Sequence, residues 1–359
     1  MKFALDEDQQ AFQDLARKFL ADRASSERTR AAMDSEQGWD PAVWTELVEE
    51  QGWTALSIPE DYGGFGFGQV ATAVMMEESG RRLLCAPLFS TVCLGTSALL
   101  TAASEEQKQR WLPAVAGGEL RATLAWSGGE VAPVTAADGA LTGQVGHVID
   151  GASADLLIVP ARGADGVLAL YAVRADAEGV SAAAAATLDT TRRRATLTLE
   201  GAAAERLPGD RAAIDRALDL ARVGLAAEQL GGAEACMDMA VEYAKVREQF
   251  GRAIGSFQAI KHKCADMLLL VESARSAVWS AAWTADNDPG ALSVAASVAQ
   301  AYCSDAYFKC AAENIQIHGG IGFTWEHDAH FYFKRARASA DLLGSARWHR
   351  ERIAQHLNL

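Results

Sequence analysis

Apolar residues in the first part of the chain recur with helical spacing. Phe12, Leu15, Ala16, Phe19 and Leu20 follow the i, i+3, i+4, i+7, i+8 stripe of an amphipathic helix. The acids between Asp6 and Asp8 precede it, where the helix dipole favours negative charge. Helix-type spacing continues, with loops, to about Gly118. The texture then changes. Between Arg121 and Leu207, short runs such as Leu156 to Val159 and Val167 to Val173, and the alternation Thr196, Leu197, Thr198, Leu199, are separated by turns rich in Gly, Asp and Ala. That pattern predicts a compact antiparallel β domain, ended by Pro208, Gly209 and Asp210. From Ile214 onward long helical segments return, interrupted mainly at Gly319, Gly320 and Gly322. The expected organisation is mainly α with a central β domain: an N-terminal helical domain over 1–119, a middle β domain over 120–207 and a C-terminal helical bundle over 208–359.

Composition narrows the classes. Half of the 359 residues are hydrophobic and Ala is abundant, which favours helix because Ala loses no side-chain entropy there. The formal charge of -14 opposes binding of a nucleic acid, and no strongly basic face is evident in the sequence. The basic run Arg192, Arg193, Arg194 reads as a solvated turn between strands. Six cysteines without CxxC spacing suit a reducing cytoplasm, and the opening MKFALDEDQQ has no apolar signal core. Leu83 to Ser104 carries no charge, but Pro87, Gly95 and its hydroxyl residues mark a buried core helix rather than a membrane span.

Candidate chemistry gathers near the C-terminus. An early GxGxxA at Gly66, Gly68 and Ala71 lacks the preceding strand of a dinucleotide fingerprint and reads as a tight loop before a helix. Later, Arg247 and Phe250 stand three apart near an expected helix end, with Gly251 as its stop. A new helix is expected from Ser256, placing Gln258, Lys261 and Ala265 on one side. Taken alone, Arg247 could equally pair with an acid and Gln258 face solvent. Gln316, Ile317 and His318 then lead into Gly319–Gly320, where the missing Cβ atoms admit a ligand or another backbone. His327 and His330 beside Glu326 and Asp328 lack the third ligand and the HExxH pattern of a zinc site. His318 reads as a packed core residue.

The segments WTALSIPEDYGGFGFG (53–68), REQFGRAIGSFQAIKHKCADM (247–267) and QIHGGIGFTWEHD (316–328) together resemble the acyl-CoA dehydrogenase family, in its order and over essentially the whole chain. The resemblance implies a helical domain, a β domain and a C-terminal four-helix bundle, assembled as a dimer of dimers with FAD shared across an interface. It implies that Arg247, Phe250 and Gln258 lie near the FAD of a neighbouring subunit, and that Gln316, Gly319 and Gly320 border its adenosine and pyrophosphate. The implied reaction is α,β-dehydrogenation of an acyl-CoA thioester. A carboxylate takes the α proton, hydride passes to flavin, and donors around the thioester oxygen stabilise the enolate. Electron-transfer flavoprotein is the implied acceptor.

The residues for that chemistry are incomplete. Leu343 and Ala221 occupy the two positions where family members carry the basic glutamate. Ala125, Trp126, Ser127, Gly128, Gly129 and Glu130 replace the loop that resembling proteins place beside flavin and substrate, and His147, Val148, Ile149 replace a Trp-Ile-Thr step that lines the ring. Asp219 and Arg222 do match substrate-side residues. No catalytic residue is therefore assigned to this chain. The pattern resembles the non-catalytic partner in α2β2 acyl-CoA dehydrogenases of bacterial sterol side-chain degradation, giving the adenosine half of a shared FAD site to a second acyl-CoA dehydrogenase-like subunit. The alternative expectation is a self-sufficient homotetramer using Glu228 or Asp341 as a relocated base; a third is another flavoprotein of this fold, such as an oxidase.

Overall fold

The structure, a computed structural model, describes residues 5–126, 128 and 133–359. Helices come first: α1 (Glu7–Arg23), α2 (Ser26–Asp34), α3 (Pro41–Glu49), α4 (Gly68–Arg81), α5 (Ser97–Ala102) and α6 (Glu105–Ala116). The Asp6 side chain accepts from the backbone of Gln9 while the Gln9 side chain accepts from the backbone of Asp6, a capping box that fixes the start of α1. Ala16 and Leu20 are buried, whereas Leu15 is exposed, so the apolar stripe of α1 is narrower than its spacing suggests. The uncharged run after Leu83 is core: a π-helical segment over Phe89–Thr96 continues into α5 with every side chain from Leu88 to Leu99 buried. No helix among the described residues is long and apolar enough to cross a membrane.

Gly66 and Gly68 both take left-handed backbone, and Gly68 opens α4 with no strand before it. The Asp286 carboxylate accepts from the backbone N–H groups of Gln69 and Val70 at 2.8 and 3.1 Å. A carboxylate of the protein itself thus caps the helix end at which a dinucleotide motif would hold phosphate.

The middle sheet contains β1 (Ala122–Leu124), β2 (Thr135–Ala137), β3 (Ala140–Ile149), β4 (Leu156–Arg162), β5 (Leu168–Arg174), β6 (Val180–Ala184), β7 (Arg194–Ala203) and β8 (Glu205–Arg206). Its order is β6-β7-β3-β2-β4-β5-β8, with β1 beside β4. The expected antiparallel pairing holds except that β1 and β2 each run parallel to β4. Strand alternation divides the core: Leu156 and Ile158 of β4 join the helical core, while Leu157 and Val159 pack within the sheet's own cluster.

The C-terminal bundle is built from α7 (Arg211–Val246), α8 (Gln258–Asn287), α9 (Leu292–His318), α10 (Ala329–Ser339) and α11 (Ala346–His356), with a short hairpin of β9 (Glu248–Gln249) and β10 (Arg252–Ala253) between α7 and α8. Helices α7, α8 and α9 pack on one another, and α4 of the N-terminal part packs on α7.

Candidate functional site

The predicted binding residues lie at the α7–α8 connection and at the end of α9, but their local geometry differs from a continuous helix face. Helix α7 ends at Val246, Arg247 is its C-cap, and Phe250–Gly251 form the two-residue turn between β9 and β10. Both turn residues have positive φ, 55° and 75°, as a tight hairpin of this hand requires. Arg247 and Phe250 are therefore presented by a hairpin, and Gly251 turns that hairpin rather than ending the helix. The start of α8 also moves, from the expected Ser256 to Gln258, behind a short 3₁₀ turn over Ile254–Ser256.

These side chains are open to solvent. Phe250 is 93% exposed, and Arg247, Gln258 and Gln316 are exposed. Arg247 makes no ion pair among the described residues. Gly319 takes φ 64° and ψ -141°, and a Cβ at Gly319 or Gly320 would meet open space. His318 is buried, stacked on Tyr243 at 4.3 Å, with its Nδ1 2.8 Å from the Asn314 carbonyl oxygen. That stack ties the end of α9 to the last turns of α7. Folding sets exposed Arg247, Arg252 and Lys261 around one connection, with exposed Glu242 and Glu248 among them. Lys245 and Lys261 share a shallow, mainly apolar hollow of about 320 Å³ with Val241, Ala244, Ile260 and Cys264.

The interior junction of the three parts has the opposite character. The reading of Arg192, Arg193 and Arg194 as a solvated turn is overturned. Arg192 is buried in an ion pair with Glu228 of α7, Arg193 donates to the backbone oxygens of Met33 and Ser35, and Arg194 donates to the Ala338 oxygen of α10 at 2.7 Å. Arg192 and Arg194 find acceptors on the C-terminal bundle and Arg193 on the N-terminal helices, which offsets part of the cost of burying the run, although Arg193 Nε has no partner among the described residues. Arg335 completes the network: its guanidinium pairs with Glu228 and with Asp189 at 3.1 Å, and donates to Thr191. Burial opposes its charge, but Asp189 and Glu228 outweigh that and raise its pKa. Nearby, Asp150 accepts from Ser90 Oγ at 2.6 Å, and burial lifts its pKa to about 6. The remaining void between Phe89, Asp150, Arg192, Glu228 and Arg335 is about 20 Å³. That is room for about one water molecule, whereas ligand pockets are typically ~300 Å³ or more. The lone acid in the apolar stretch LAAEQLGG was the sequence signal for this network, since such a group needs a buried cation.

Neither residue at the base positions can take a proton. Leu343 and Ala221 are buried. The two positions do converge, because Arg222 Nε donates to the Leu343 oxygen at 3.0 Å while its Nη1 pairs with Asp219 at 2.7 Å. Asp219 also takes a fork of two contacts, 2.6 and 2.9 Å, from Arg352. Of the alternative carboxylates, Glu228 is held between two arginines and Asp341 is 68% exposed at its side chain, 3.7 Å from Arg337. Ile149 is buried on β3 opposite Arg194 of β7, so the strand position expected to line a flavin is tied through Arg194 to α10. Within the expected flavin loop, Ser127, Gly129 and Glu130 lie outside the described residues.

The two regions answer differently to FAD. The outer face offers an unpaired guanidinium, two exposed amides and a glycine pair with open space above it, a donor set that suits a diphosphate and adenosine. The void among Arg192, Glu228 and Arg335 is too small for an isoalloxazine ring; Glu228 there is held by two arginines, while Asp150 makes no ion pair among the described residues and accepts from Ser90.

Known proteins with this architecture can now be set beside the chain. The family description "Acyl-CoA dehydrogenase, N-terminal domain" matches residues 6–119, and "Acyl-CoA dehydrogenase, C-terminal domain" matches residues 209–358. Acyl-CoA dehydrogenase IpdE2 of Mycobacterium tuberculosis is 38% identical over 341 residues, covering 95% of this chain and 94% of the relative. Acyl-CoA dehydrogenase FadE34 of the same organism is 37% identical over 358 residues, which are 97% of this chain but 48% of FadE34. Among solved structures, the ChsE4–ChsE5 complex from Mycobacterium tuberculosis superposes with a TM-score of 0.91 at 30% identity, over 100% of this chain and 99% of the matched one. The steroid ACAD Tcur3481–Tcur3483 superposes with a TM-score of 0.89 at 32% identity, over 98% of each chain.

Proposed function

The chain belongs to the acyl-CoA dehydrogenase family, and on that premise we propose that it is the non-catalytic subunit of a heteromeric FAD-dependent enzyme acting on a steroid-derived acyl-CoA. In this reading it assembles with a second acyl-CoA dehydrogenase-like subunit as α2β2 in the cytoplasm, and electron-transfer flavoprotein takes the electrons. One observation carries the proposal: the two base positions hold the buried Leu343 and Ala221, neither of which can accept a proton, while Arg247, Gln258 and Gln316 of the outer face stay exposed.

Bound FAD supplies the acceptor for the hydride leaving the acyl β carbon. The residues of this chain do other work. Arg247 offers paired N–H donors to a phosphate oxygen, Gln258 and Gln316 offer amide donors and acceptors, and Gly319–Gly320 let the cofactor approach the backbone. The α-proton acceptor comes from the partner, because Leu343 and Ala221 have no group to receive it. Two comparisons support a paired assembly. Relatives of similar length occur in the ChsE4–ChsE5 complex and in Tcur3481–Tcur3483. FadE34 is about twice as long as this chain, so its remaining half is large enough for a second such unit.

Co-expression with a neighbouring acyl-CoA dehydrogenase-like gene tests the reading. The expected product is a complex with one FAD per pair of unlike subunits, and Arg247→Ala lowers its FAD occupancy. Full FAD occupancy and acyl-CoA oxidation by this chain purified alone would overturn it.

A further inference from the structure

We propose that Trp325 is the stacking platform for the adenine ring of the shared FAD, with Lys334 beside it as a phosphate-facing cation. This deepens the reading above and rests on it. The indole is 64% exposed although it lies in a well-anchored turn. Its backbone oxygen accepts from Arg30 at 2.5 Å, and its ring meets His330 and Phe331 in edge-type contacts at 4.9 and 5.7 Å. Lys334 Nζ lies over one face of the indole, 4.4 Å from the ring centroid, and has no ion pair among the described residues, which leaves the opposite face for a stacked base.

Position supports the same assignment. The His327 ring lies 4.3 Å from the His318 ring, and His318 directly precedes Gly319. Trp325 is two residues from His327, a chain span of at most about 7 Å. The turn that carries the indole therefore adjoins the end of α9, from which the glycine pair continues.

The surroundings favour a nucleotide over an apolar protein side chain. Lys334 and Arg30 flank Trp325, with Asp328 paired to Arg30 and Glu326 at the exposed edge. An apolar partner residue seated on the indole would bury the Lys334 ammonium without compensation. A nucleobase presents a π face to the indole and carries its own phosphates toward the cation.

The test uses the co-expressed complex after its FAD has been removed. Trp325→Ala is expected to weaken FAD rebinding roughly 10- to 100-fold, as loss of one base–aromatic stack does, and Trp325→Phe to retain most of the affinity. ADP, which carries adenine without flavin, should quench indole fluorescence in the wild-type complex and not in Trp325→Phe. Unchanged FAD affinity in Trp325→Ala, with Arg247→Ala still weakened, sinks the stacking role and leaves the shared-site reading standing. Unchanged affinity in both variants sinks the shared-site reading as well. Loss of subunit association with FAD affinity intact in the complexes that do form would make Trp325 a protein contact and overturn the proposal.

Discussion

At the scale of single residues, Glu228 shows how one carboxylate can hold a domain junction. It is the shared acceptor of Arg192 and Arg335, all three side chains buried. Glu228→Ala leaves two buried guanidinium groups short of a counter-charge and should cost about 3–5 kcal/mol of stability in denaturant unfolding. Glu228→Gln keeps the shape and one acceptor oxygen, so its loss should be smaller. His349 gives a second prediction. It is 0% exposed, and burial, followed by Arg222 and Arg352, pushes its pKa down to about 3 against the weaker opposing pull of the Leu343 and Gly344 backbone. The unfolded chain binds that proton near the ordinary value of 6.5, so the native state binds fewer protons between 6.5 and about 3. Stability from this group is complete above pH 6.5 and is lost as pH falls, by roughly 3 kcal/mol at pH 4. His349→Leu should flatten that slope while leaving stability at pH 8 within about 1.5 kcal/mol of wild type, measured by urea unfolding across pH. Glu77, raised by burial to about 7, and Asp150, raised to about 6, act with the opposite sign, removing stability as pH rises toward those values.

At the scale of elements, two glycines decide how closely α4 and α7 cross. A Cβ on Gly80 would stand 1.9 Å from the Glu228 oxygen, and one on Gly231 would stand 1.7 Å from the Glu77 oxygen. Backbone meets backbone on both sides, and the crossing sets the depth at which Glu228 enters the junction. Gly231→Ala should therefore destabilise by about 3 kcal/mol or more despite the better helix propensity of Ala, because the clash is with main chain that has no rotamer to change. A fall in Tm together with loss of subunit pairing is the expected readout; wild-type Tm would count against the close crossing. This geometry also explains what the sequence made legible. Periodicity located α1, the strands and the long C-terminal helices, because one buried face per element leaves a local signature. It did not distinguish the turn at Phe250–Gly251 from a helix end, since a glycine suits both. It misplaced Arg192 to Arg194 because their partners lie far along the chain at Glu228, Met33 and Ala338. The motif residues Arg247, Gln316 and Gly319–Gly320 were legible as a set through family resemblance, whereas the exposure of Trp325 inside the third motif is a property of the fold that its apolar type does not signal.

At the scale of the whole molecule, the three parts are fastened to one another by the protein's own charges. Arg335 joins α10 to the β domain at Asp189 and to α7 at Glu228, and Arg194 joins β7 to α10. Domain closure around a ligand is not required for this subunit to be rigid. A ligand that binds the native state raises stability by RT ln(1 + [L]/Kd), about 2.7 kcal/mol at one hundred times Kd. On the proposed shared-site reading the isolated chain holds only the outer half of a FAD site, so its affinity for FAD should be too weak for that term to register. Its Tm should stay within about 1 °C when FAD is added to 0.1 mM, by differential scanning fluorimetry or calorimetry. The co-expressed complex, which brings both halves together, should melt several degrees higher with FAD than without it. A large FAD-dependent shift in the isolated chain would mean that this chain holds the cofactor without a partner, and would overturn the shared-site reading.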